Sequence, residues 1–229
     1  YIGNHIIKAR TSLNSPFKIK KDTRTIAYGA FRYCDKITSV DIPDKVISIG
    51  DGAFYGCSSL YSVDIPDSVR YLGTQAFREC YRLGAVNIGD RVEEIGYMCF
   101  YYCPRITKMT IGKNVKRIGS SAFYNCDSLE SLEFPDGLKV IDSHAFYDCD
   151  GFNWFYIPES VTYIGHHAFW DTVYKEGDAL VGINVINVAK SEDAFKNDVD
   201  DGDNWRPQYD YMLFKKSVDI SYSAERKAK

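Results

Sequence analysis

An Ala-Phe pair recurs in this chain every 23 residues. It stands at Ala30-Phe31, Ala53-Phe54, Ala76-Phe77, Cys99-Phe100, Ala122-Phe123, Ala145-Phe146 and Ala168-Phe169, with no insertion between the first copy and the last. A unit this short cannot bury its own apolar face, so successive copies must stack and share one interior as a solenoid. The buried columns account for the fold, and function falls to the columns that face solvent.

Aligned on phenylalanine, the copies show a column Ile42, Ile65, Ile88, Ile111, Phe134, Ile157, and two residues earlier a column Val40, Val63, Val86, Met109, Leu132, Phe155. Apolar residues at period two, most of them β-branched, predict a short strand with both columns facing inward. Proline or glycine follows at 43, 66, 89, 112, 135 and 158 and ends it. After a turn come Val46, Val69, Val92, Val115, Leu138 and Val161, then Ile49, Leu72, Ile95, Ile118, Ile141 and Ile164. The stretch from there through Ala-Phe is too short for an ordinary helix and is expected to form a helical turn on the outer side. With strands about 4.8 Å apart, seven coils make a body on the order of 35 Å long.

The segment Leu60 to Cys80, with Val63, Ile65, Pro66, Val69, Leu72, Gly73, Ala76 and Phe77, resembles the BspA-type leucine-rich repeat, and the likeness runs from about 17 to 172. The resemblance implies a right-handed leucine-rich-repeat solenoid: short parallel strands on one face, turns and short helical turns on the other, and end caps. It also implies a secreted or cell-surface protein of adhesion or recognition, with a host or matrix protein as partner. Three regions are expected: an N-terminal cap over 1–16 using Ile2, Ile6 and Ile7, seven coils over 17–172, and a degenerate coil, cap and tail over 173–229. Within the last, Asp178 to Val188 suits a degenerate coil or cap strand, Tyr209 to Tyr222 a further strand, and Ala224 to Lys229 a frayed end.

Composition removes several function classes. A net charge of −3 at pH 7 gives no global attraction to nucleic acid or an anionic membrane, and no apolar run approaches the roughly 20 residues of a membrane span. The chain begins at Tyr1 rather than methionine, as expected of a trimmed or mature fragment. There is no G-x-S-x-G elbow, P-loop, dinucleotide glycine fingerprint or H-E-x-x-H motif, so no enzyme and no cofactor is expected.

Cys34, Cys57, Cys80, Cys103, Cys126 and Cys149 form a column of their own, with Thr172 in the last coil. Parallel thiols aimed into one core seldom reach disulfide geometry, so a ladder of buried free thiols is expected, with Cys99 in the core beside it. His144 and His167 share a column one coil apart and His166 is adjacent. With Asp148 and Asp171 four or five residues on, a transition metal is the lesser reading of these histidines; they are read as polar residues of an outer turn, and Asp198 to Asp203 as a solvated acidic turn, since the spacing is wrong for an EF-hand. No metal site is assigned.

The outward strand positions are the better candidates. They run Asp41, Asp64, Asn87, Thr110, Glu133, Tyr156, flanked by Ser39, Ser62, Ala85, Lys108, Ser131, Trp154. Lys108, Thr110, Glu133, Trp154 and Tyr156 are the predicted partner-binding residues, because tryptophan and tyrosine dominate protein interfaces. The competing reading packs Trp154 and Tyr156 beneath the C-terminal segment. A second column, Tyr55, Tyr101, Tyr124, Tyr147 and Trp170, is interrupted by Arg32 and Arg78. It is expected to pack on itself, with carbohydrate binding the lesser use. The leading reading is a non-enzymatic protein-binding module. The alternatives are a structural spacer or scaffold in a larger surface protein, or carbohydrate binding.

Overall fold

A computed structural model describes residues 1–13, 15–152, 154–158, 160–170 and 172, and the backbone of short strands at 175–176, 179–180 and 186–188. Of residues 154–156 only the backbone is described. The acidic turn at 198–203, the strand expected over 209–222 and the tail over 224–229 lie outside the described residues.

The predicted strand is present in every copy. Phe17–Lys18, Val40–Asp41, Ser62–Ile65, Ala85–Ile88, Lys108–Thr110, Ser131–Glu133 and Trp154–Ile157 form a first ladder of parallel strands. The register repeats the sequence interval, pairing Val63 with Val86, Val86 with Met109 and Leu132 with Phe155. Ile186–Val188 then pairs parallel with Trp154–Ile157, setting Ile186 opposite Phe155 and Val188 opposite Ile157. The segment read as a degenerate coil thus adds a strand to the same sheet.

A second ladder was not predicted. Thr25–Ile26, Ser48–Ile49, Tyr71–Leu72, Glu94–Ile95, Arg117–Ile118, Val140–Ile141 and Tyr163–Ile164 stack in parallel with one inward residue each. The N-terminal strand His5–Ile6 joins this ladder, pairing with Thr25–Ile26. Of the three isoleucines assigned to the cap, Ile6 is buried, whereas Ile2 and Ile7 face solvent.

The outer segment is a pair of tight turns rather than one helical turn. Ala53 N–H donates to Gly50 C=O and Tyr55 N–H to Gly52 C=O, while the intervening Gly52, Phe54 and Gly56 N–H groups donate to Thr74, Ala76 and Arg78 of the next coil. That alternation requires left-handed backbone at two places per coil. Glycine supplies it at Gly29, Gly52 and Gly56, and Tyr33, Gln75, Glu79, Met98, Tyr102, Ser121, Asn125, His144, Asp148 and His167 adopt it without glycine. The backbone groups exposed by the turns are thereby satisfied from coil to coil.

The interior is one column of rings. Phe31, Phe54, Phe77, Phe100, Phe123, Phe146 and Phe169 stack with centroids 4.8 to 5.4 Å apart and planes within 8°. Phe17 closes the N-terminal end edge-on at 5.5 Å. Beside it the thiols climb as expected: Cys57, Cys80, Cys103, Cys126 and Cys149 Sγ each donate to the phenylalanine carbonyl of the preceding coil, at 3.0 to 3.4 Å. All seven cysteines are free and buried.

Close approach explains the glycine after the second strand. A Cβ on Gly73 would lie 2.5 Å from the backbone of Gly50 and Asp51, and one on Gly165 2.2 Å from Ser143 N. At Gly96 the gap opens to 3.4 Å, and there the second ladder is interrupted between Tyr71–Leu72 and Glu94–Ile95. The first ladder is interrupted between Lys108–Thr110 and Ser131–Glu133, where Met109 and Phe134 replace the usual β-branched residues, and is reduced to the single Ser39–Ser62 bridge between Val40–Asp41 and Ser62–Ile65.

Thr23 marks a local mismatch. It occupies the column of Val46 and Val69, its N–H makes the equivalent turn bond to Lys20 C=O, and it is fully buried, but its Oγ1 has no hydrogen-bond partner. Replacing the hydroxyl with a methyl removes a desolvated polar group at constant shape. Thr23→Val should stabilise the protein by about 1 kcal/mol in urea unfolding with an unchanged m-value; a loss of stability would show the hydroxyl to be engaged.

Candidate functional site

The two ladders present two solvent-facing strips of different chemistry. On the first, Asp41, Asp64, Asn87, Lys108, Thr110 and Glu133 are exposed, while Val63, Ile65, Val86, Ile88 and Leu132 between them are buried. Among the described residues, none of those six exposed side chains takes part in a side-chain hydrogen bond or ion pair.

The structure brings the predicted residues together in two groups. Lys108 and Thr110 lie on one strand, opposite Ala85 and Asn87. Ser131 and Glu133 stand opposite Trp154 and Tyr156 on the next pair. Between the groups, at the interruption of the ladder, lies an open groove of about 590 Å³ flanked by Thr110, Lys113, Ser131, Glu133 and Asp136, with Met109, Ile111 and Phe134 at its base. By register Asn187 stands opposite Tyr156. The edge of the Trp154–Ile157 strand is therefore covered by another strand.

The strip on the second ladder was missed in the sequence because its inward partner is a single residue per strand. Here the charges are engaged with one another across coils: Glu93 with Lys116 at 3.2 Å, Glu94 with Arg117 at 3.7 Å, and Arg117 with Asp142 at 2.7 Å. Where the second ladder is interrupted, an open cleft of about 780 Å³ is lined by Arg70, Tyr71, Arg91, Glu93, Glu94 and Lys116, among others. Mixed, self-paired charge of this kind recommends no single ligand, and the Glu93–Lys116 and Glu94–Arg117 pairs are exposed and weak.

The aromatic column packs on itself. Tyr101, Tyr124 and Tyr147 stack at 4.9 and 4.8 Å, and Arg32 and Arg78 complete the row as cations over Tyr55, at 4.5 and 5.3 Å, with Arg78 also 4.8 Å from Tyr101. Ring faces used in this way are not free for a sugar.

The family model for the BspA type leucine rich repeat region matches residues 1–130 and 116–187, with 6 copies. The chain belongs to the BspA-type leucine-rich repeat family. Among solved structures, a leucine-rich repeat protein from Eubacterium ventriosum is 26% identical, with a TM-score of 0.71 over 77% of this chain and 48% of that one. The leucine-rich repeat protein of T. pallidum is 28% identical, with a TM-score of 0.54 over 64% of this chain and 77% of that one. This BspA-type repeat thus spans about half the length of the E. ventriosum protein. Comparison with curated protein sequences finds no match.

The thiols of the repeat are built to be inert. Burial pushes Cys34, Cys57, Cys80, Cys99 and Cys126 up, and Cys103 up to about 12. A thiol whose folded pKa lies above its unfolded value, near 8.5, contributes stability that is whole below that value and is lost as pH rises through it. The urea midpoint should therefore hold between pH 7 and 8 and fall steadily from pH 9 to 11, less steeply in Cys103→Ala. A flat alkaline profile would contradict this burial.

Proposed function

We propose that this BspA-type repeat is a non-enzymatic protein-binding module, secreted or displayed at the cell surface, that engages a host or matrix protein through the first strand face. The observation that carries the reading is the contrast between the two strips: on the second ladder Glu93, Glu94, Lys116, Arg117 and Asp142 pair with one another, whereas Asp41, Asp64, Lys108 and Glu133 on the first are exposed and unengaged. Strand pairing fixes the backbone of each of these positions before a partner arrives, which lowers the ordering cost of association. The groove between the coils of Thr110 and Glu133 gives that face relief, and Trp154 and Tyr156 stand in register beside it. Membership of the family supports recognition rather than turnover, and the self-stacked tyrosines weigh against carbohydrate as the main ligand.

The test is biolayer interferometry of the chain against purified fibronectin, laminin and collagen, with a glycan array alongside. Saturable binding to a protein is expected, weakened at least tenfold, or about 1.4 kcal/mol, by Lys108→Glu with Glu133→Lys. Trp154→Ala with Tyr156→Ala should weaken it similarly, with the thermal midpoint unchanged in both. Undiminished binding in the charge-reversed variant would move the interface off this face. A lowered midpoint in the aromatic variant, with no protein bound, would favour the spacer reading.

A further inference from the structure

The outer turns of the last two complete coils gather three imidazoles. His144 and His167 occupy the same turn position one coil apart, both with left-handed backbone at φ 57° and 55°, so the two side chains leave the coil at equivalent points. His144 N–H donates to His166 C=O at 3.0 Å, which ties the two turns together. The rings of His166 and His167 lie 3.6 Å apart, and that of His144 5.4 Å from His167 and 6.0 Å from His166. One nitrogen from each ring falls within 4.8 Å of the other two. We propose that His144, His166 and His167 form a surface site for a borderline divalent transition-metal ion, Zn²⁺ being the best suited, with a coordination position left open to solvent.

Three imidazoles on Zn²⁺ at about 2.0–2.1 Å stand roughly 3.4 Å apart in a tetrahedral arrangement. The set therefore needs to contract by on the order of 1.4 Å at most, within the reach of side-chain rotation about χ1 and χ2. Imidazole donors select zinc, copper and nickel over magnesium and calcium, and zinc imposes the least geometric demand of its own on the protein. Neighbouring rings support two of the three imidazoles, with Trp170 4.4 Å from His167 and Tyr147 5.6 Å from His144. Burial, with the His166 charge added, lowers the pKa of both His144 and His167. His166 is exposed, which leaves the outer side of the set accessible to water or to another donor. The competing soft ligands are out of reach, since every cysteine is buried. The fourth histidine, His5, is bonded to Thr25 Oγ1 in the N-terminal strand.

Isothermal titration of the full chain with ZnCl₂ at pH 7.5, MgCl₂ as control and CoCl₂ as spectroscopic probe, tests the site. The proposal expects saturation at one Zn²⁺ per chain, no response to Mg²⁺, and a Co²⁺ spectrum free of a thiolate charge-transfer band. Affinity should fall at least tenfold in His144→Asn with His167→Asn, asparagine being chosen because it tolerates left-handed backbone. His166→Gln, outside the left-handed positions, should also lower affinity and decides the matter if the double variant does not fold. Absence of saturable binding, a thiolate band with Co²⁺, or unchanged affinity in the folded variants would overturn it.

Discussion

The fold follows from coils that approach to backbone hydrogen-bonding distance at two strand ladders and at the outer turns. Two strand ladders and the outer turns each hand N–H groups to the neighbouring coil. That spacing is also the stacking distance of aromatic rings, so a phenylalanine repeated at one position becomes a continuous column with centroids about 5 Å apart. Each such contact adds about 0.5–1.5 kcal/mol beyond simple burial. The thiol one turn away donates to the same carbonyl that ends the phenylalanine residue, so a small apolar side chain also supplies a hydrogen bond within the core.

The same closeness has costs that the sequence shows locally. Glycine after the second strand is required by the backbone of the preceding coil, as at Gly73 and Gly165. Left-handed residues at the outer turns are held by coil-to-coil bonds even where they are Gln75 or Met98. The two clefts described above lie where a ladder is interrupted. Relief on an otherwise regular wall thus arises at breaks in the ladders rather than at inserted loops. Recognition by a repeat protein can be varied in this way without altering its length.

Legibility in the sequence tracked repetition. The phenylalanine, cysteine and first-strand columns could be read directly, because the same residue returns at a fixed interval and inward and outward positions alternate. The second ladder could not: Ser48, Tyr71, Glu94, Arg117, Val140 and Tyr163 share no chemistry, and a two-residue strand gives no alternation to detect. The left-handed turns were hidden because glycine marks them only at Gly29, Gly52 and Gly56. Of the candidate binding residues, Lys108, Thr110 and Glu133 were legible as outward positions, but the groove between them depends on how Met109 and Phe134 space the coils, which spacing alone does not reveal. His144 and His167 were visible as a column; the approach of His166 depends on the path of the turn.

The central claim is that the coils are interchangeable units locked by a 23-residue register, the interval from Phe77 to Phe100. Its most direct measurement compares two deletions by circular dichroism and urea unfolding. Removing residues 78–100 joins Phe77 to Tyr101 and leaves every column in step, whereas removing 78–97 shifts them by three. The first variant should keep the native spectrum per residue and a single cooperative transition at somewhat lower stability, and the second should lose both. Equal folding of the two, or collapse of the first alone, would contradict a shared and register-dependent interior.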